Sequence, residues 1–190
     1  MRKIFLLGFI IASILNCKAQ IVPVEQVLNN FDNVPDENAY IKDVNNVFDD
    51  YIGTWTGVYN NKNYTFVITK STIVFDETYN INTDILIMKY LIIDVSTYDV
   101  IEDTLLLSDE DAHCKGVYFK TTSQLDLTYV FSYGGDEYFC GQNGDVFITL
   151  INNNTQMYLF LYPNHEIFSD CQTGLAEQVL PTEKILLTKQ

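Results

Sequence analysis

Arginine is almost missing from this chain. Its one copy, Arg2, sits in the first three residues, so from residue 20 onward eight lysines stand against 25 carboxylates and leave a charge of −17. Arginine's planar fork is the usual reader of phosphate, and cationic surface is what holds nucleic acid. A chain this acidic is repelled by DNA, RNA and anionic head groups, which excludes nucleic acid as a partner. Histidine is scarce too: His113 and His165 are the only two, and no Cys-x-x-Cys or His-x-x-x-His spacing accompanies them. No metal site is expected on that pattern. Long apolar runs are also lacking. The longest, residues 4–15, has 12 residues and is too short to cross a bilayer, so no membrane span is expected.

Catalytic patterns are equally thin. No Gly-x-Ser-x-Gly elbow exists to hold a nucleophilic serine beside either histidine. Adjacent carboxylates such as Asp136 and Glu137 point to opposite sides of a strand, so they cannot share one substrate bond. The stretch "DEDAHC" sets Asp109 and Asp111 two apart, as in a calcium loop, but lacks the glycine and the distal glutamate such a loop needs. Asp103-Thr104-Leu105 fits a short O-glycosylation acceptor pattern. The expectation is a protein that is not an enzyme, with no catalytic residue, no metal and no cofactor.

What is present begins with a leader. Residues 1–19 run from basic "MRK" through the apolar run to the exit "NCKAQ", the layout of a secretory signal. Two processing routes are open. Cleavage after Ala19 uses the small side chains of Cys17 and Ala19 and leaves Gln20 first. Lipoprotein processing would instead make Cys17 the lipidated first residue and give a lipid anchor, although Asn16 stands where a small residue is usual. Either route takes the chain out of the cytoplasm. Cys114, Cys140 and Cys171 remain, an odd count that in an oxidising compartment implies one disulfide and one free thiol. The turn-like settings "YFCGQNGD" and "FSDCQTG" favour the pair Cys140–Cys171.

Residues 20–38 are polar, broken by Pro23 and Pro35, and read as a tether; 39–190 reads as one domain. Ile41, Val44, Val47, Phe48 and Tyr51 recur at helical spacing, which predicts one short N-terminal helix capped by Asp36 and ended by Gly53. After Trp55, the only tryptophan, the period falls to two. Tyr64, Phe66 and Ile68 alternate with Thr65, Val67 and Thr69; Leu125, Leu127, Tyr129, Phe131 and Tyr133 alternate with polar neighbours and Val130. "STIVFD", "ILIMKYLIIDV", "TLLLSD", "GVYFKT", "DVFITLIN", "MYLFLY" and "KILLTK" supply more strands, and "NNKN" at 60–63 is a hairpin loop. Nine or ten strands without a βαβ rhythm predict an all-β fold, an antiparallel up-and-down barrel of about 8–10 strands, with a β-sandwich as the alternative.

A helical turn running into Gly53-Thr54-Trp55 on the first strand resembles the start of the lipocalin, or calycin, barrels. The resemblance implies that Gly53 and Trp55 are structural and that the tryptophan plugs one end of the barrel. That family's late arginine over the ring has no counterpart here; Lys184 or Lys189 would substitute. The whole chain also resembles a family of small bacterial envelope proteins that share a "CKAQ" leader, a "GTW" strand start and an ending like "LPTEKILLTKQ". That likeness carries no activity. It implies export to the periplasm, the outer membrane or the exterior of a Gram-negative-type cell. Two roles follow: a barrel holding a small apolar or aromatic molecule, or a solid-core monomer that meets an envelope protein or glycan through surface tyrosines.

Overall fold

The computed structural model describes residues 20–27, 37–121 and 127–190. The leader with Cys17, the cap at Asp36 and the strand position Leu125 lie outside them. Eleven strands form: β1 (Ile21–Pro23), β2 (Tyr40–Lys42), β3 (Gly53–Tyr59), β4 (Lys62–Asp76), β5 (Ile81–Asp94), β6 (Val100–Asp103), β7 (Cys114–Thr121), β8 (Leu127–Gly134), β9 (Asn143–Ile151), β10 (Gln156–Pro163) and β11 (Ile185–Lys189).

Eight of them, β3, β4, β5 and β7 to β11, pair antiparallel in chain order and close into a barrel where β11 meets β3. The up-and-down barrel expected from the alternation is therefore the architecture, and the sandwich is not. Its first hairpin turns on Asn60 and Asn61, both left-handed, the backbone that matches the twist of paired strands.

One edge of β5 belongs to β4. The other is shared: β2 pairs with its start in parallel, β7 with Ile87 and Met88, and β6 with its end. The "TLLLSD" strand does not form. β6 stops at Asp103 because Thr104 turns its hydroxyl onto the edge of β5, accepting Tyr90 N–H at 2.7 Å and donating to the Tyr90 carbonyl at 3.1 Å. Leu106 behind it is 97% exposed. Thr104 itself is buried, so the folded chain withholds that hydroxyl from any glycosylating enzyme.

The N-terminal helix is the main correction. Ile41 falls in β2, Val44 in a turn, Val47 and Phe48 in a 3₁₀ turn, Val47–Asp50, and Tyr51 at that turn's end. Asp43 breaks the helix by accepting Val47 N–H through its side chain, and Asn46 adopts a left-handed backbone before the turn. The hydrophobic residues still reach the core, apart from Val44, which is exposed. Part of the expected tether also joins the fold. β1 pairs in parallel with β2, and Val24 and Val27 are buried. Asp84 pins this lobe by accepting from Tyr40 Oη at 2.6 Å, from Asp43 N–H and from Ile73 N–H in a β4 bulge; Asp43 pairs with Lys70 at 2.7 Å.

Side chains fill the barrel. Tyr64, Phe66 and Ile68 of β4, Leu86, Met88, Tyr90 and Ile92 of β5, and Tyr129, Phe131 and Tyr133 of β8 all point inward and are buried. At one end the 3₁₀ turn inserts Phe48, whose ring lies 5.9 Å from Phe119 and 5.3 Å from Tyr129. Phe119 and Tyr129 meet edge to face at 4.8 Å. Gly116 makes room there: a Cβ would sit 2.2 Å from Tyr129 Oη.

Candidate functional site

Three places could carry function. The first is the end plugged by Trp55, which is fully buried. Its indole N–H donates to the Tyr51 carbonyl at 2.8 Å. Lys189, its register partner on β11, sets Nζ 5.1 Å over the ring and donates to the Asp50 carbonyl at 2.8 Å. Lys189, rather than Lys184, is thus the lysine that covers the tryptophan. Gly53 has φ +135° and its missing Cβ would press on the Lys189 stem at 3.1 Å. Every group here is spent on closure.

The opposite end is capped by the β8–β9 loop and the segment 164–184, joined by the disulfide Cys140–Cys171. Asn143 donates to the Tyr138 and Glu166 carbonyls, Gln142 to the Glu177 carbonyl and Gln178 to the Gly141 carbonyl. Beneath this cap His113 is held on both sides. Its Nδ1 lies 3.1 Å from Tyr90 Oη and 3.3 Å from Glu102, and its Nε2 lies 3.3 Å from Asp136. The hydrogen bond to Glu102 raises its pKa above the ordinary 6.5, against the opposing effect of burial. Cys114 beside it is the free cysteine among the described residues; it is fully buried, and burial pushes its thiol up. Both imidazole nitrogens thus face neighbouring groups, and the buried thiol is kept protonated.

Asp136 therefore serves His113, while Glu137 N–H bonds Gln142. Asp109 pairs with Lys89, and Asp111 accepts from Ser108. His165 lies in an exposed, left-handed turn. Among the described residues no three His, Cys, Asp or Glu side chains gather as metal ligands.

The third place is outside the barrel, on β7 to β10. Cross-strand register sets Tyr118, Val130, Phe147 and Phe160 in one row, and Lys120, Thr128, Thr149 and Tyr158 in the next. Asp145 and Tyr162 are paired on the other side. Val130 is covered completely, although it faces outward. Phe147 and Phe160 stack across the strands with centroids 5.0 Å apart and planes within 14°. Lys120 Nζ stands 5.5 Å from the Phe147 ring; Lys184 Nζ stands 5.3 Å from Tyr158 and 6.0 Å from Phe160. Thr128 and Thr149 share a hydroxyl contact at 2.8 Å. The result is an open groove of about 460 Å³. Burial raises the pKa of the Asp145 carboxyl, with Lys120 opposing, and that of Tyr118.

Of these groove residues only Lys184 was named as a candidate from the sequence, and for a different place, over the Trp55 ring. The legible signal was that β9 and β10, "DVFITLIN" and "MYLFLY", carry aromatics on the face opposite their core residues. A strand with one wet face should not.

The chain belongs to a family of unknown function (DUF6705), whose model matches residues 1–190. No curated protein and no solved structure matches it.

Proposed function

We propose that this member of a family without an assigned function is an exported, non-enzymatic binding domain that keeps a solid barrel and meets its partner on the outer face of β7 to β10. The observation that carries the reading is the contrast between its two surfaces. The inward positions hold large side chains in mutual contact, whereas the outward row of β7 to β10 leaves aromatic rings and charged groups around open space. A ligand inside the barrel would have to displace Phe66, Tyr90, Tyr129 and Phe131, each of them buried. Displacing packed side chains creates strain that a small apolar molecule does not repay.

The non-enzymatic part rests on the His113 cluster, whose nitrogens both face other groups. Export rests on the leader and on the disulfide, which persists in oxidising compartments. A monomer is the expected state.

Native mass spectrometry of the exported protein tests both halves. The expected species is the bare polypeptide, starting at Gln20 or acylated at Cys17, with no retained apolar molecule. A co-purified apolar ligand, or N-phenylnaphthylamine quenching Trp55, would overturn the solid-barrel reading; a retained "MRKIFLL" start would overturn export.

A further inference from the structure

We propose that the groove on β7 to β10 is a carbohydrate site that takes uncharged pyranose units of a glycan. The inference rests on the outer-face reading above and names the partner's chemistry.

A sugar ring is amphiphilic in a particular way. Its C–H faces are apolar and weakly positive, so they settle on the negative faces of aromatic rings, while its rim carries hydroxyls that both donate and accept. The groove has the same division. The Phe147–Phe160 pair and Tyr118 supply ring surface along the middle row, with buried Val130 between them. Polar groups stand in the rows on either side: Lys120 with Thr128 and Thr149, and Asp145 with the phenol of Tyr162.

The second observation is what those polar groups leave undone. Among the described residues Lys120 and Lys184 pair with no carboxylate and instead stand over ring faces. Among the described residues four of the other six lysines are engaged, Lys70 with Asp43, Lys89 with Asp109, Lys115 with the Glu110 carbonyl and Lys189 with the Asp50 carbonyl, while Lys42 stands over Tyr40. Asp145 is half-buried, and none of the described residues donates a hydrogen bond to it. A half-desolvated carboxylate beside open space lacks donors, and two adjacent sugar hydroxyls supply a matched pair.

Other occupants fit less well. A fatty chain would cover the rings but leave the half-buried Asp145 carboxylate without a donor. A polyanion, nucleic acid or acidic polysaccharide, meets Asp145 and the field of residues 20–190, at −17. A pocket of roughly 300–1,000 Å³ lined by aromatics with a few polar groups is the usual size and make-up of a small-molecule site.

The test is amide NMR on the whole mature protein, titrated with three neutral probes, cellohexaose, mannohexaose and chitohexaose, and with hexagalacturonate. The expected result is that at least one neutral probe shifts the amides of Tyr118, Phe147 and Phe160. Phe160→Ala should weaken that binding about tenfold or more, as for a central aromatic contact. Asp145→Asn should weaken it less, and Lys184→Met reports the rim. All three side chains face outward, and an unchanged thermal midpoint confirms each fold. No shift with any neutral probe up to about 10 mM, weaker than ordinary recognition, would overturn the carbohydrate assignment. Groove shifts caused only by hexagalacturonate would also overturn it while leaving the outer-face reading intact. A neutral probe that shifts inward amides and Trp55 but spares the groove would overturn both.

Discussion

Shortening Trp55 tests whether the barrel is closed by the plug described above. The indole is fully buried, donates to the Tyr51 carbonyl at 2.8 Å and carries Lys189 over its face. Trp55→Phe keeps a ring for the lysine but removes the donor. An acceptor left bare in the core costs about 1–3 kcal/mol. The smaller ring adds about 1 kcal/mol for the void, so a loss of about 2–4 kcal/mol is expected. Trp55→Ala removes the whole ring at about 3–5 kcal/mol and bares the same carbonyl. Against a total stability of about 5–15 kcal/mol, that variant should express poorly or unfold. Lys189→Met keeps the stem over the ring and loses the charge, at about 0.5–2 kcal/mol. Urea unfolding followed by far-ultraviolet circular dichroism gives all three values. The wild-type indole should emit towards the blue and resist acrylamide. A Trp55→Phe protein as stable as the parent, or a red and easily quenched Trp55 in the folded state, would refute the plug.

Two further outcomes are expected. Replacing Cys140 and Cys171 by serine releases a loop closed across 31 residues, which should cost about 3–4 kcal/mol and loosen the cap before the barrel; denatured, unreduced protein starting at Gln20 should expose one thiol, Cys114, and two or three would refute the pairing. His113 has a folded pKa raised above its unfolded value, so its stabilising contribution is fully present below about 6.5 and is lost as pH rises through the folded value. The parent should therefore lead His113→Gln by more at pH 5.5 than at pH 9, and an equal gap at both would show that Glu102 and Asp136 do not hold an imidazolium.

The barrel was legible because its strands obey period two where it matters. β4 alternates from Tyr64 to Thr69 with its larger set buried, and the larger set of β8, Tyr129, Phe131 and Tyr133, is buried as well, although Thr128 and Val130 are covered on the outer face. The cysteine pair was legible from turn chemistry, and a lysine over Trp55 from the two lysines near the end of the sequence. The N-terminal helix misled because spacings of three and four also arise when a short strand, a side-chain cap and a 3₁₀ turn each send one residue inward. Ile41 is buried from β2, Phe48 from within the 3₁₀ turn and Tyr51 from the residue that ends it. The groove was hidden for another reason. Phe147 and Phe160 are neighbours only through the register of β9 and β10, and Glu102, His113 and Asp136 come from β6, the residue before β7 and the β8–β9 loop. Strand pairing creates both clusters, and no local pattern encodes it.

Closure of the ring by β11 on β3 has a temporal consequence. Residues 53–59 have no second neighbour until residues 185–189 arrive, and β10 waits for the same segment. A chain emerging in order can curl up strand by strand, since each new strand pairs with the one just made, yet it remains an open sheet with two bare edges. The last seam joins segments more than a hundred residues apart, so it is the slow, entropically costly event. Until then the edge of β3 is a template for any passing strand, and the interval before residue 189 clears the exit is when this protein is most prone to aggregate.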